Sequence, residues 1–506
     1  AGMSYSCQKH PGEFGFPRDK IDQAVARKGL LSMEIEFSLA CNYRCPYCYN
    51  DMQESVSALR PDLIDDVVLQ AKELGAEKII VLGGEPMLYP SVHERIKFIR
   101  DQGMAVEMFT NGSCINRENA AFLYEHDVAV VLKINSRDRE LQNRMTGRND
   151  AYELITSALH NLKAAGYPAD GKRMAASTVI CRQNIDELPD MWRWLRSEGI
   201  EPYFEMMTPQ GNAAENREWH SLSPEDHRKL FEELARIDRK EFGREWEPQP
   251  PLVGNSCLRH CYSCLVNARG EVMPCVGVTL LLGNIKDEPL KEILRNSEVL
   301  EKLRDYPASI KGPCGRCEKA ENCYGCRGAA YQLTGDYLAS DPMCWKNVDA
   351  EIQTLPCSTD PYLPHQPPLL LVDELVEVGE REGIVRCRLT DDGPFMDEAG
   401  VLAETAHTEL IAQSMAALEG FHMTERERRS HEGILMSVKD FSIYERAELG
   451  DVLEVEVRKI GKLGDFGAVR GDVFRQDEKL AGGELTFYLA EKPAEEDAAE
   501  NRISDR

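Results

Sequence analysis

From Met33 to about Pro209, short apolar runs alternate with longer stretches in which apolar residues recur every three or four positions. Lys78–Leu82 is one such run. Before it, Leu63, Ile64, Val67, Val68, Ala71 and Leu74 fall on one side of a helix, with Gly75 where that helix should stop. Met33–Phe37, Ala105–Phe109, Val128–Ile134, Met174–Ile180 and Tyr203–Met207 complete a set of strand candidates separated by helical patterns, which predicts an α/β unit with parallel strands. In such units chemistry gathers at the C-terminal strand ends, so the residues just past each run are the first candidates for function. Further on, Ser223-Pro224-Glu225-Asp226 has the form of a helix start. After Trp345 the period changes to a strand pattern, one helical segment from Glu404 to Phe421, and alternating strands such as Val452–Ile460 and Gly467–Phe474. One helix against an antiparallel sheet is the expected α+β arrangement there.

At 506 residues the chain is too long for one core. We place an N-terminal extension at 1–30, the α/β unit at 31–240, a cysteine-rich segment at 241–348, a linker at 349–360, the α+β unit at 361–491 and an acidic, disordered tail at 492–506. No apolar run is long enough to span a bilayer and no export signal is visible, so a cytoplasmic protein without a membrane partner is expected. The net charge of −26 argues against nucleic acid as a partner.

Seventeen cysteines without an export signal point to metal ligands rather than disulfides. Cys41, Cys45 and Cys48 form one group, and nine more lie between Cys257 and Cys344. Cys7, Cys114, Cys181, Cys357 and Cys387 are scattered and read as ordinary thiols. A cluster of four irons normally takes four cysteines, so a triplet leaves one iron open to a non-protein ligand. A zinc site is the competing account, though zinc usually draws on two separated pairs.

The spacing Cys41-x3-Cys45-x2-Cys48, with Tyr47 before the last cysteine, resembles the radical S-adenosylmethionine (SAM) superfamily. That resemblance implies a partial (βα)6 TIM-like barrel, a [4Fe–4S] cluster whose open iron binds SAM, and reductive cleavage of SAM to a 5′-deoxyadenosyl radical that takes hydrogen from a substrate. A flavodoxin or ferredoxin would supply the electron. Gly83-Gly84-Glu85-Pro86, past the second strand, resembles the motif that holds the SAM amino group. Thr110-Asn111-Gly112 also fits the family's pattern, although either stretch alone is a turn. Lys133-Ile-Asn135-Ser136 departs from the Ser-Leu-Asp-Gly of relatives, leaving Lys133 to reach the SAM carboxylate or to face solvent. Ser177 is a weaker candidate for the SAM carboxylate or ribose, and Glu205 reads as a solvated glutamate.

The second cysteine group, with the tail Cys326-Arg-Gly-Ala-Ala-Tyr and Asp341-Pro-Met-Cys344, resembles the SPASM extension, which implies two auxiliary [4Fe–4S] clusters relaying electrons. By that resemblance Cys314, Cys317, Cys323 and Cys344 bind the outer cluster. Cys275 and Cys326 join two of Cys257, Cys261 and Cys264 at the inner one, with Cys257 and Cys261 favoured. The chain departs from the commoner pattern in having Cys323-x2-Cys326, and nine cysteines compete for eight places.

Leu363-Pro-His365-Gln-Pro-Pro-Leu-Leu-Leu-Val-Asp373 resembles the start of hotdog-fold dehydratases acting on 3-hydroxyacyl-carrier-protein thioesters. Glu409 and Gln413, four apart and so on one helix face, match that family's Glu-x3-Gln. Relatives carry a loop histidine where this chain has Gly393-Pro394-Phe395, and neither His365 nor His407 holds its place. Without that base, a binding or dimerising hotdog is expected over an active dehydratase. The resemblances together imply an oxidoreductase or modifying enzyme acting on an acyl or small-molecule group presented as a carrier thioester, with an acyl-carrier protein as partner and a homodimer formed through the hotdog unit. A peptide or protein maturase is the enzymatic rival, lowered because the residues before Met33 are too few for a peptide-binding winged helix. A non-catalytic cluster-bearing scaffold is the rival from another class.

Overall fold

The computed structural model describes residues 15–50, 57–169, 172–217, 221–379, 381–390, 394–423 and 431–491. Residues 1–14 of the N-terminal extension, including Cys7, together with Gly393 and the tail 492–506, lie outside the described residues. The chain divides into two compact units, Ala1–Leu333 with Tyr337–Ile352, and Thr334–Asp336 with Gln353–Arg506.

The first unit is built on a sheet whose strands β1 (Ser32–Glu36), β2 (Lys78–Leu82), β3 (Ala105–Thr110), β4 (Val128–Lys133), β5 (Met174–Ile180) and β6 (Glu201–Met206) lie side by side in chain order. All five pairings among them are parallel. Beyond β1 the sheet continues into β7 (Leu265–Val266), parallel to β1, then the antiparallel β8 (Glu271–Met273) and β9 (Gly283–Asn284). Parallel neighbours require a crossover, and helices such as Pro61–Glu73, Val92–Asp101 and Leu188–Ser197 supply it. Gly75, at φ +96°, stops the first of these where a residue with a side chain would be strained. Ser223 Oγ accepts the Asp226 amide at 3.1 Å and so starts the helix Pro224–Glu241.

Strand alternation sorts this sheet into two unlike faces. Met33, Ile35, Ile79, Val81, Val106, Met108, Val130, Leu132, Ala176 and Phe204 form the main core with helix residues Ile64, Val67, Ile96, Ile99, Trp192 and Leu195. The opposite face carries charge. Register aligns Glu34 with Ile80 and Ile80 with Glu107, and aligns Lys133 with Ser177 and Ser177 with Tyr203.

The second unit is an antiparallel sheet in the order β10-β11-β12-β14-β15-β16-β13. Its strands are β10 (Cys357–Ser358), β11 (Glu374–Val378), β12 (Glu382–Arg388), β13 (His431–Ile443), β14 (Val452–Leu463), β15 (Phe466–Arg475) and β16 (Glu478–Glu491). The helix Ala406–His422 buries Leu410, Ile411 and Leu418 with Val385, Val455, Val473 and Leu485 of the sheet. The helix begins at Ala406 rather than Glu404, with Thr405 at the cap position. Among the described residues no helix is long and apolar enough to cross a membrane.

Candidate active site

Four strand ends bond the loop carrying Cys41, Cys45 and Cys48 directly, and β5 reaches it through Asn135. From β2, the Gly84 amide donates to Ser38 O at 2.9 Å and the Glu85 amide to Ala40 O at 2.8 Å. A side chain at Gly83 or Gly84 would run into the Ser38 and Ala40 carbonyls, so these glycines admit the cysteine loop itself. From β3, Asn111 Nδ2 donates to Asn42 Oδ1 at 2.9 Å and lies 3.8 Å from Cys41 Sγ. Past β4, Asn135 Nδ2 donates to the Tyr47 hydroxyl at 2.5 Å, and the Thr146 carbonyl accepts the Arg44 amide at 3.0 Å. Asn135 also takes the Val179 amide of β5 at 3.1 Å. After β6, the Ala213 amide donates to Cys48 O at 3.2 Å and Asn212 Nδ2 to Cys45 O at 3.3 Å.

Glu85 is buried, and its carboxylate accepts from Met87 N at 3.1 Å, Thr110 Oγ1 at 2.7 Å and Asn111 N at 2.6 Å. Burial lifts its pKa, with those three donors pulling the other way. It therefore ties the end of β2 to the end of β3 directly beneath the cysteine loop. Burial likewise pushes the thiol of Cys45 up to about 12 and that of Cys48 up to about 11.

The charged face of the sheet lies below. Lys133 does not face solvent freely. Its ammonium donates to Ser177 Oγ at 3.0 Å, sits 3.6 Å from Glu205 Oε1, and lies 5.4 Å from the centre of the Tyr47 ring. Glu205, expected to be a solvated glutamate, is instead half-buried in this pair, because β6 turns it to the same face as Lys133 and Ser177. On β1, Glu34 is 1% exposed and pairs with Arg259 from the second cysteine group. Glu36 is 3% exposed and accepts from the Tyr49 hydroxyl at 2.8 Å and the Ala268 amide at 3.4 Å. Glu107 takes Arg173 at 3.0 Å and Lys78 at 3.3 Å.

In the cysteine-rich segment, Cys314, Cys317, Cys323 and Cys344 line one cavity. Backbone and side-chain N–H groups point at their sulfurs: Asn347 Nδ2 lies 3.2 Å from Cys314 Sγ and Gly325 N 3.3 Å from Cys323 Sγ. Burial raises Cys275, up to about 12, and Cys326, and in both the Cys257 sulfur adds to the effect. Cys261, pushed up to about 11 chiefly by burial, also feels Cys257. Cys264 is wholly buried in the main core, where its charged neighbours are Arg304 and Glu34.

In the second unit, Gln413 Nε2 donates to Glu409 Oε1 and to Leu369 O, both at 2.8 Å, and Gln413 Oε1 accepts the Leu371 amide at 2.9 Å. The Pro-rich segment is thereby pinned to the helix, and it brings His365 Nε2 to 3.8 Å from Glu409 Oε1. His407 instead turns Nδ1 to Glu404 O at 3.2 Å, within its own turn of helix.

Residues 35–195 match the Radical SAM superfamily, and residues 257–326 match the SPASM iron-sulfur cluster-binding domain. This chain carries the radical SAM and SPASM domains of an enzyme. Residues 357–498 of the enzyme match the ApeP dehydratase family, a hotdog-type dehydratase. Over 338 residues it is 28% identical to an AdoMet-dependent heme synthase of Methanosarcina barkeri, covering 61% of this chain and 94% of that protein. Over 326 residues it is 27% identical to the mycofactocin maturase MftC of Mycobacterium ulcerans, covering 61% and 86%. The crystal structure of Streptococcus suis SuiB bound to precursor peptide SuiA superposes with a TM-score of 0.50 at 15% identity, over 66% of this chain and 82% of that one, a likeness of fold.

Several residues around the three-cysteine loop were given no role by the sequence. Asn42, Ser113, Asn135 and Arg148 brace the loop, and Glu34, Glu36, Glu107 and Arg259 charge the face beneath it. Strict alternation in Met33–Phe37 was the available signal for the two β1 glutamates. Nothing in the sequence marked Arg259, whose partner comes from the far end of the unit.

Proposed function

We propose that this radical SAM/SPASM enzyme acts in the cytoplasm on an acyl or other small-molecule group held as a carrier thioester by its ApeP-like unit. We place a SAM-binding [4Fe–4S] cluster on Cys41, Cys45 and Cys48, at the mouth of a partial (βα)6 barrel spanning 31–240. When bound, the cluster and SAM supply one-electron reductive cleavage of a sulfonium bond and removal of a hydrogen atom from the substrate. The chain's own part is positioning and exclusion of water. Tyr47, Gly83 to Pro86, Thr110 and Asn111 shape the SAM seat, and Lys133 with Ser177 closes it from the far strands. The observation that carries this is the convergence of the β2, β3, β4 and β6 ends, and of β5 through Asn135, on one three-cysteine loop.

The four sulfurs lining one cavity support an outer auxiliary cluster on Cys314, Cys317, Cys323 and Cys344 within a SPASM segment at 241–348. The inner cluster takes Cys257, Cys275 and Cys326, with Cys261 favoured over the core-buried Cys264 for the fourth place. The two relay electrons, and a flavodoxin or ferredoxin is the reductant. In the hotdog unit, 361–491, Glu409 and Gln413 contact the thioester. The His365–Glu409 approach supplies a base that the sequence pattern lacks, which favours acid–base chemistry there more than sequence did. Edge strand β13 exposes Ile434, Met436 and Val438, which supports a homodimer through this unit.

Anaerobically reconstituted, reduced enzyme with SAM should release 5′-deoxyadenosine; none from protein with its full iron complement refutes the radical chemistry. Binding of an acyl-carrier protein should weaken in Glu409→Ala, and binding insensitive to that change refutes a thioester in the hotdog pocket. The relatives named as a maturase and as SuiB with its precursor peptide favour a second reading, modification of a peptide, and the same pull-down with peptide decides between them.

A further inference from the structure

Outside the residues used so far, the first unit holds a buried imidazole. His260 is 2% exposed, and neither ring nitrogen has a hydrogen-bond partner among the described residues. A polar group left unsatisfied in a protein interior carries its full desolvation penalty, so a partner is expected. The ring's surroundings say where that partner is. His260 lies in the short turn Arg259–Cys261, between the cysteines at 257 and 261. It stacks on Tyr324, ring centres 5.3 Å apart and planes 18° from parallel, and its own amide donates to the Tyr324 hydroxyl at 3.4 Å. That hydroxyl is 3.8 Å from Cys257 Sγ, so Tyr324 touches both the imidazole and the Cys257 sulfur. Tyr324 itself sits between Cys323, of the outer set, and Cys326, of the inner one. The charged neighbours of the ring are Arg259 and Arg327, which have no acceptor to give it.

We infer that His260 donates a ring N–H to a sulfur of the inner auxiliary cluster. The inference rests on the proposed placing of that cluster at Cys257, Cys275 and Cys326. A hydrogen bond to a cluster sulfur stabilises the reduced, more negative state, so His260 is a positioning residue that holds the cluster's potential up.

The test uses the full-length, anaerobically reconstituted holoenzyme carrying 15N-labelled histidine. Pulsed electron paramagnetic resonance of the reduced enzyme should show a weak 15N coupling on one cluster signal, the signal that Cys326→Ser removes. The coupling should vanish in His260→Phe, and the midpoint potential of that cluster should become more negative. His260→Gln, which restores an N–H donor, should recover part of the shift. A Cys326→Ser enzyme with every cluster signal intact overturns the cluster placement itself. A signal lost in Cys326→Ser but free of histidine coupling, or a coupling strong enough for an iron–nitrogen bond, overturns the role of His260 alone.

Discussion

Replacing Glu85 by alanine strands three donors at once: the Met87 amide, the Thr110 hydroxyl and the Asn111 amide, bonded at 3.1, 2.7 and 2.6 Å. Each buried donor left without an acceptor costs about 1–3 kcal/mol. Against this stands relief of burying the carboxylate, whose pKa is raised by desolvation. The net loss for Glu85→Ala should be about 2–4 kcal/mol. Glu85→Gln keeps a carbonyl oxygen for Met87 and Thr110 but opposes the Asn111 amide with an NH2 group, and should cost about half as much. All five tryptophans belong to the first unit, so tryptophan fluorescence in a urea titration follows the loss of this unit and not the other. The ranking wild type, glutamine, alanine is the expected result, with iron retention after desalting falling in the same order. An alanine variant within about 0.5 kcal/mol of wild type, or a glutamine variant worse than alanine, would show that Glu85 does not tie β2 to β3.

Gly84→Ala should press its new methyl group into the Leu39 and Ala40 carbonyls and lower the iron bound per chain at the Cys41–Cys45–Cys48 loop, measured in a background lacking Cys257, Cys261, Cys275, Cys314, Cys317, Cys323, Cys326 and Cys344; unchanged iron would mean the glycine is only a turn. Burial raises the Glu107 carboxyl, but Lys78 and Arg173 outweigh it and leave its pKa below the usual range. The stability it contributes is full above the unfolded value of about 4.3 and drains away as pH falls through the lower folded value, so the urea midpoint gap between wild type and Glu107→Gln should shrink on acidification below that point. Glu36 has the opposite sign. Burial raises its pKa more than Tyr49 and Ala268 lower it, so wild type loses stability as pH climbs from the unfolded value to the higher folded one, and Glu36→Gln should gain on wild type over that window; a flat difference would count against a buried charge. In the second unit, His365→Ala and Glu409→Ala should each abolish any hydration of an enoyl thioester, followed by loss of enoyl absorbance, and unequal effects of more than about tenfold would break the pairing.

Most strands of the parallel sheet were legible because their apolar runs are bounded by turn residues, and β2 and β5 fall where the periodicity puts them. The cysteine spacing likewise pointed to the loop that the strand ends hold. What stayed hidden was the inner face. A strand buried on both sides usually reads as apolar throughout, and here Glu34, Glu36 and Glu107 are buried charges whose partners arrive from distant segments. Alternation sets such residues on one face but does not show their partners, and a lone carboxylate then reads as solvated, as Glu205 did. The same limit applied to His365, which lies in a Pro-rich stretch with no periodicity. The bonds between Gln413 and the backbone of Leu369 and Leu371 hold that stretch beside Glu409.

The loop of Cys41, Cys45 and Cys48 owes its shape to partners spread from Ser38 to Ala213. No short fragment contains them, so on the proposed placing of the cluster the seat for iron is complete only once β6 and its following turn have been made. On that placing, metal enters a chain whose parallel strands have already come together.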